Sequence, residues 1–182
     1  MRLIELAIEV AAKAHQNQYR KLTDIPYITH PYSVGMLLFK EGCKEEVVCA
    51  GILHDTVEDT DLTVEDIRIQ FGTEVVELVE SCSEPNKEAS WEERKQHTID
   101  SLKDVSKDSA MIVCADKLHN LRSIRQDLDR MGELAWGKFK RGRDKQEWYY
   151  QGILENLSHK LAAEPLFEEL SNEMNLVFRR TV

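Results

Sequence analysis

The sequence is poor in proline, glycine and paired cysteine, and each shortage excludes a class of structure. Only 4 prolines and 8 glycines occur in 182 residues, and no Pro/Gly/Ser-rich stretch divides the chain as a linker would. The four cysteines stand singly, without a CxxC pair, which argues against a structural zinc site or a disulfide framework. Cys49 and Cys114 lie in apolar runs, so we expect them to be core thiols.

Long apolar runs and an excess of positive charge are also missing. No run approaches the roughly 20 apolar residues that a membrane-spanning helix requires, and the N-terminal residues carry no signal-peptide pattern. We therefore expect a cytoplasmic protein with no membrane partner. The net charge of −9 disfavours nucleic acid as a partner. It permits a small phosphorylated ligand that a few local cations hold.

Apolar residues recur at helical spacing through the chain, and no stretch alternates as a strand would. The pattern predicts an all-α fold in a single domain, residues 1–182, because this length suits one hydrophobic core. A polar loop is expected from Ser81 to Ser90 and a basic, irregular segment from Gly132 to Arg143. The main helices are expected at about Leu3 to Gln18, Pro31 to Gly42, Lys44 to Asp55, Thr63 to Gly72, Ser90 to Leu102, Ser109 to Leu128, Lys145 to Ala162 and Pro165 to Phe178. In the second of them the inward residues are expected to be Val34, Met36, Leu37 and Leu38.

The densest group of chemically active side chains follows the apolar run from Val47 to Leu53. His54 and Asp55 come first, then Glu58 and Asp59. A spacing of four residues would place Glu58 on the His54 face of a helix and Asp59 on the Asp55 face. Packing does not explain four polar groups at the end of an apolar helix, because their burial costs free energy. Metal-assisted chemistry with a carboxylate as proton carrier does explain them.

Two further residues complete a ligand set for one divalent cation. Asp116 interrupts the apolar run from Met111 to Ala115, so its carboxylate must be paired or metal-bound. His30 stands where a loop turns into a helix. Taken singly, Asp116 could pair with Lys117 or Arg122, and His30 could be a capping or surface histidine. Taken together with His54-Asp55, the set favours a metal site.

The other histidines show no clear partner in the sequence. His15 is expected to be structural, and His97, His119 and His159 are expected to be peripheral. With so few spare imidazoles, a mononuclear metal centre is favoured over a two-metal site.

The order His … His-Asp … Asp resembles the signature of the HD-domain metal-dependent phosphohydrolases, and within them the alarmone hydrolases of the stringent response. The likeness covers about residues 14–125, and residues 145–178 would complete the helical bundle. Its blocks, in order, are Ala14-His15-Gln16-Asn17-Gln18-Tyr19-Arg20-Lys21, Pro26-Tyr27-Ile28-Thr29-His30-Pro31, Gly51-Ile52-Leu53-His54-Asp55-Thr56-Val57-Glu58-Asp59-Thr60, Phe71-Gly72-Thr73-Glu74-Val75 and Ala115-Asp116-Lys117-Leu118-His119-Asn120-Leu121-Arg122.

The resemblance implies a role for nine residues around a metal site between central helices. It implies metal ligands at His30, His54, Asp55 and Asp116, with manganese the usual ion and other divalent metals possible. It implies that the attacking water and its proton are managed by Glu58 and Asp59. It implies substrate contacts at Arg20, Lys21 and Asn120.

The function implied by the resemblance is hydrolysis of the 3′-pyrophosphate of guanosine tetra- or pentaphosphate, giving GDP or GTP and pyrophosphate. One alternative is a phosphohydrolase of another nucleotide, a nucleoside monophosphate or NADPH. It stays open because Leu22 to Ile25 stands where the family commonly has a shorter, glycine-containing loop. Another is a nucleotide-sensing module without turnover, against which the intact Glu58 and Asp59 argue.

A basic cluster precedes three consecutive aromatic residues near the C-terminal end. It has two interpretations: the purine and distal-phosphate side of the pocket, or a solvated loop followed by aromatic core packing. The second is favoured, because the resemblance is weak in this region. The residues are Lys138, Lys140, Arg141, Arg143 and Lys145, followed by Trp148, Tyr149 and Tyr150.

Overall fold

The computed structural model describes residues 2–83 and 88–179, and throughout these ranges the regular structure is helical. The all-α prediction is therefore confirmed. None of the described helices is long and apolar enough to cross a membrane. The helices are α1 Arg2–Ala14, α2 Thr29–Lys40, α3 Glu45–Leu53, α4 Thr56–Asp59, α5 Val64–Phe71, α6 Thr73–Cys82, α7 Trp91–Ser101, α8 Lys107–Met131, the 3₁₀ helix Gly132–Lys138, α9 Gly142–Leu161 and α10 Pro165–Phe178.

Two helix ends differ from the prediction, for backbone reasons. The first helix ends at Ala14 rather than near Gln18, because Asn17 adopts the left-handed conformation (φ 66°), which a continuous helix does not allow. The third ends at Leu53, so the predicted continuation to Asp55 is wrong. The predicted loop from 81 to 90 begins only after α6 ends, and its residues 84–87 lie outside the described part of the chain.

Two helices begin at the predicted residues, Thr63 and Ser90, because both positions are capped locally. Thr63 and Asp66 form a reciprocal capping box at the start of α5, and Ser90 and Glu93 form another at the start of α7. Each box satisfies backbone N–H groups that the first turn leaves without a helical partner.

Helix α8 runs through the middle of the domain and contacts α2, α3, α6, α9 and α10. Its residues from Ser109 to Asp116 are buried without interruption, as its nearly continuous apolar sequence predicts. Cys114 on this helix and Cys49 on α3 are fully buried, which confirms the expected core thiols.

Helices α2 and α3 approach closely at two glycines. A Cβ atom on Gly35 would overlap the side chain of Ile52, and one on Gly51 would overlap that of Leu38. The pairing brings the N-terminal end of α2 to the C-terminal end of α3. Because Gly35 faces α3, its neighbour Met36 points outward and is 49% exposed, so the prediction that Met36 is a core residue is wrong.

Candidate metal centre

The four predicted ligands come from three parts of the fold and meet in one cavity of about 180 Å³. His30 lies in the first turn of α2, His54 and Asp55 at the junction of α3 and α4, and Asp116 in the middle of α8. One nitrogen or oxygen atom from each of His30, His54 and Asp116 lies within 4.8 Å of the others. The Asp55 carboxylate lies 3.2 Å from His54 Nε2 through Oδ1 and 3.6 Å from His30 Nε2 through Oδ2.

The tautomer of His54 shows that this donor set fits a cation. His54 Nδ1 lies 2.8 Å from the Gly51 carbonyl oxygen, which can only accept, so the ring proton is on Nδ1. In the neutral ring the buried Nε2 atom therefore carries the lone pair, and it has no hydrogen-bond partner. It faces Asp55 Oδ1 at 3.2 Å and Asp116 Oδ1 at 4.0 Å. A lone pair opposite two carboxylates is repulsive unless a cation lies between them, and mixed imidazole and carboxylate donors suit a divalent metal.

Asp116 is held by two donors on its own helix. Lys117 Nζ donates to Oδ2 at 2.6 Å, and Asn120 Nδ2 donates to Oδ1 at 2.5 Å. Burial alone would raise the pKa of Asp116, but the Lys117 ammonium group helps to hold that pKa well below its usual range, so the carboxylate is charged. Of the two ion pairs of Asp116 considered from the sequence, the one with Lys117 is therefore present in addition to the cluster. Arg122 instead donates to Glu169.

Tyr27 is a part of the site that sequence reasoning missed. Its hydroxyl donates to Asp55 Oδ2 at 2.6 Å, which fixes the carboxylate with Oδ1 turned towards His54. Burial, and next the charge of Asp55, raise the pKa of Tyr27, so the phenol keeps its proton and remains a donor. A tyrosine in a loop carries no sequence signal for this role beyond its place in the block that ends at His30.

The predicted water-handling residues lie on the short helix α4. Glu58 lines the same cavity as the four ligands, whereas Asp59 is not among the described residues that line it. The main chain of Asp59 is anchored on both sides: its N–H donates to the Asp55 carbonyl at 2.9 Å, and its carbonyl accepts from Gln18 Nε2 at 2.6 Å. The helix is interrupted between α3 and α4. Asp59 nevertheless follows Asp55 by one helical turn, as its N–H bond to the Asp55 carbonyl shows, and Glu58 shares the cavity with His54 as predicted.

A second cavity of about 470 Å³ adjoins the metal centre. Five residues line both cavities, so a molecule in the larger one can reach the metal ligands. The shared residues are Tyr27, Lys95, Lys117, Asn120 and Tyr149. The rest of the larger wall combines cations with aromatic rings, among them Arg20, Lys21, Lys138, Trp91, Phe139 and Tyr150.

The three predicted substrate contacts lie on the wall of this second cavity. Arg20 Nη2 donates to Asn120 Oδ1 at 3.1 Å and lies 3.4 Å from Ser123 Oγ. The ammonium group of Lys21 donates to the Lys138 carbonyl. Arg20 is thereby linked to Asp116 through Asn120, which contacts both.

Some residues of the basic cluster after residue 137 fit the interpretation as a pocket wall, and others fit the interpretation as a solvated loop. Lys138 lines the larger cavity and its side chain is 9% exposed, paired with Asp127. Arg141, by contrast, is a 43% exposed partner of Glu92. Tyr149 and Tyr150 are buried and also line the cavity. The favoured interpretation, a solvated loop, therefore describes Arg141 and does not describe Lys138.

His119, expected to be peripheral, contacts a predicted ligand. Its Nδ1 lies 2.8 Å from His30 Nδ1, so the expectation is wrong. Burial, then the nearby His30 and Arg20, lower the pKa of His119 to about 4, and the ring is neutral at pH 7. His15 is buried, and its Nδ1 lies 2.8 Å from Gln18 Oε1, as suits the structural role expected for it.

Comparisons with known proteins identify the family and the relatives of this chain. Residues 7–139 match the HD domain family. A mouse protein, guanosine-3′,5′-bis(diphosphate) 3′-pyrophosphohydrolase MESH1, is 35% identical over 170 residues, which cover 90% of this chain and 92% of the mouse protein. A GTP pyrophosphokinase of Streptomyces coelicolor is 40% identical over 128 residues, 69% of this chain but only 15% of that protein. The structure of a metazoan orthologue of SpoT that hydrolyses ppGpp superposes with a TM-score of 0.81 at 28% identity, over 96% of this chain and 94% of the other.

Proposed function

This chain belongs to the HD-domain family, and on that premise we propose that it is a metal-dependent phosphohydrolase that removes the 3′-pyrophosphate of guanosine tetra- or pentaphosphate. The products are GDP or GTP and pyrophosphate. The observation that carries the proposal is the buried His54 lone pair opposite two carboxylates, next to a basic and aromatic cavity of nucleotide size. The mouse relative, whose name states this reaction, aligns with nearly the whole chain.

The proposed metal is one Mn²⁺ ion, held by the imidazoles and carboxylates of the cluster. Hard carboxylate oxygens with imidazole nitrogens suit manganese, although other divalent ions accept the same donors. The proposed ligands are His30, His54, Asp55 and Asp116. When bound, the cation lowers the pKa of water and neutralises charge on phosphate oxygens.

The protein residues divide the remaining work by position. Glu58 lines the cavity of the proposed metal centre, so we assign it the role of general base, which accepts the proton of the attacking water. Asp59, anchored through its main chain, is assigned a supporting part in the same proton transfer. Tyr27 keeps Asp55 oriented through Oδ2 and leaves Oδ1 of Asp55 facing His54 Nε2, where both atoms could hold the cation.

The substrate is proposed to occupy the larger cavity with its 3′-pyrophosphate towards Asn120. Arg20 and Lys21 supply positive charge for phosphate oxygens in a chain whose net charge is −9. The aromatic wall, with Trp91 and Tyr149, offers ring faces for the purine base.

The direct test is to incubate the purified protein with Mn²⁺ and guanosine tetraphosphate and to measure pyrophosphate. We expect release that stops when EDTA removes the metal and resumes when Mn²⁺ is restored. GDP, which lacks the 3′-pyrophosphate, is the control substrate. No release from protein shown to contain metal would reject this substrate.

The Glu58→Gln variant separates turnover from binding alone. We expect it to retain Mn²⁺ and lose turnover by about 100-fold to 10,000-fold, the usual contribution of a general base. Equally negligible rates in the variant and the wild type would favour a nucleotide-sensing module.

A second substrate class stays open because of the rim segment from Leu22 to Ile25, which stands where the resemblance implies a shorter, glycine-containing loop. Two of its residues, Thr23 and Ile25, line the larger cavity. The competing substrates are a nucleoside monophosphate and NADPH. Initial rates on guanosine tetraphosphate, a nucleoside monophosphate and NADPH, measured side by side at equal concentration, decide between these substrates. The highest kcat/KM identifies the preferred nucleotide.

A further inference from the structure

We propose that His119 is a positioning residue that holds His30 in the tautomer able to bind the metal. The inference rests on the proposed metal site and adds a residue that is not among the proposed metal ligands, although it lines the larger cavity. His119 lies on α8, three residues after Asp116 and therefore on the same face of that helix. One helix thus supplies a ligand and supports a second ligand that α2 carries.

The contact between the two rings is a hydrogen bond, and its direction depends on which ring carries the one proton between them. His30 Nδ1 and His119 Nδ1 lie 2.8 Å apart, and a single proton fits between two ring nitrogens at this distance. If the proton belongs to His30, its other nitrogen, Nε2, is a free lone pair. If it belongs to His119, Nδ1 of His30 accepts and Nε2 of His30 carries the proton.

The two arrangements differ in whether His30 can bind a cation. His30 Nε2 faces Asp116 Oδ1 at 3.2 Å and Asp55 Oδ2 at 3.6 Å. A proton on Nε2 can be donated to Asp116, which satisfies the ring without metal and blocks the ligand position. The metal-binding arrangement therefore needs an acceptor for the proton on Nδ1, and His119 provides it.

His54, the second imidazole of the proposed centre, shows the same arrangement, with its Nδ1 proton bound by an acceptor inside the protein. His54 Nδ1 donates to the Gly51 carbonyl, an acceptor that cannot change its role. His30 is 2% exposed, so water does not readily replace its acceptor, and a buried donor without a partner is unfavourable. Both imidazoles of the centre thus have their Nδ1 atom paired inside the protein, one with a main-chain oxygen and the other with His119.

Two nearly isosteric variants isolate the nitrogen that matters. In His119→Asn the amide oxygen can take the place of Nδ1, so the acceptor is kept. In His119→Gln the amide group lies where Nε2 was, so the acceptor opposite His30 is lost although the residue stays polar. His119→Phe preserves the ring shape and removes both nitrogens. His159→Asn, on an exposed position of α9, is the control for the substitution itself.

The readout is Mn²⁺ affinity, measured from the electron paramagnetic resonance signal of free Mn²⁺ during titration of each folded variant. We expect His119→Gln and His119→Phe to bind Mn²⁺ about tenfold to a hundredfold more weakly than the wild type, the usual effect of losing the partner of a ligating histidine. We expect His119→Asn and His159→Asn to stay within about threefold of the wild type. Thermal unfolding followed by circular dichroism establishes that each variant is folded before titration.

The outcomes separate the two levels of the proposal. His119→Gln binding as tightly as the wild type, or His119→Asn binding as weakly as His119→Gln, overturns the role of His119 while the metal site stands. A wild-type protein that removes no Mn²⁺ from solution overturns the metal site and the role of His119 together.

Discussion

The metal centre and the rim of the adjoining cavity are built in opposite ways. The centre takes its side chains from packed helices: His30 is 2% exposed and His54 is 5% exposed, and each has its second nitrogen paired. The rim includes the loop closed by the β-bridge between Tyr19 and Pro26, and its Leu22 is 74% exposed. The proposed function is consistent with this difference: the reacting atoms must be fixed, whereas a loop at the rim can vary without disturbing them.

The largest effect is expected from removing one nitrogen of the centre. In His54→Asn the amide can still donate to the Gly51 carbonyl in place of Nδ1, while Nε2 is lost. We expect Mn²⁺ binding to fail and turnover to fall about 1,000-fold or more, because several kcal/mol of charge stabilisation disappear. Mn²⁺ titration and pyrophosphate release measure this, with His159→Asn as control. Normal turnover in His54→Asn would contradict the proposed role of His54 in the metal centre.

A smaller effect, confined to substrate binding, is expected at the rim. In Arg20→Met the charge and the hydrogen bonds to Asn120 and Ser123 are lost. We expect KM to rise about tenfold to a hundredfold, as for a hydrogen bond to a charged group, with unchanged Mn²⁺ affinity. Steady-state kinetics and metal titration test the separation. Arg130→Met, on the exposed end of α8, is the control, and a loss of metal in Arg20→Met would show that rim and centre are not independent.

A still smaller effect, on kcat alone, is expected from breaking the hydrogen bond between Gln18 and Asp59. Gln18 joins the segment that follows α1 to α4 by donating to the Asp59 carbonyl. In Gln18→Leu we expect kcat to fall about fivefold, since one hydrogen bond contributes about 1 kcal/mol, and Mn²⁺ affinity to stay unchanged. The exposed Gln16→Leu is the matched control. An altered Mn²⁺ affinity with constant kcat would place Gln18 with the ligands rather than with Glu58.

The smallest effect is expected from the strained backbone of the rim. Leu22 has φ 58°, which costs a non-glycine residue about 1–2 kcal/mol. In Leu22→Gly relief of this strain offsets the greater freedom of glycine in the unfolded chain, so the free energy of unfolding should change by less than about 1 kcal/mol. Leu134→Gly, equally exposed but without a positive φ, should destabilise by about 0.5–1 kcal/mol. Urea unfolding compares the two, and equal losses would show that Leu22 is not strained.

The sequence predicted most helices because the signals for them are local. Apolar spacing and capping residues act within a few positions, which is why the boxes at Thr63 and Ser90 mark true helix starts. The helix ends near Gln18 and Asp55 were placed wrongly, since no residue type there forbids a further turn. Met36 was placed wrongly for a different reason: the close approach at Gly35, made by α3, turns it outward.

The proposed ligand set could be predicted from the sequence, but the residues that support it could not. A buried carboxylate at Asp116 and a histidine–aspartate pair after an apolar run are unusual enough to be noticed one by one. Tyr27 and His119 looked ordinary, because a hydrogen bond between residues 28 or 89 positions apart leaves no pattern in the intervening chain. The same holds for Lys138, which only the folding of the 3₁₀ helix towards Asp127 places on the cavity wall.

The amino-acid sequence by itself determined the helical class, the order of the helices and the identity of the side chains able to bind a cation. These follow from spacing along the chain and from the free-energy cost of burying polar groups. Only the tertiary structure decided which nitrogen of each histidine faces the carboxylates and which residues hold it there. Tautomers and hydrogen-bond partners depend on atoms that distant helices bring within about 3 Å, and no local preference specifies that distance.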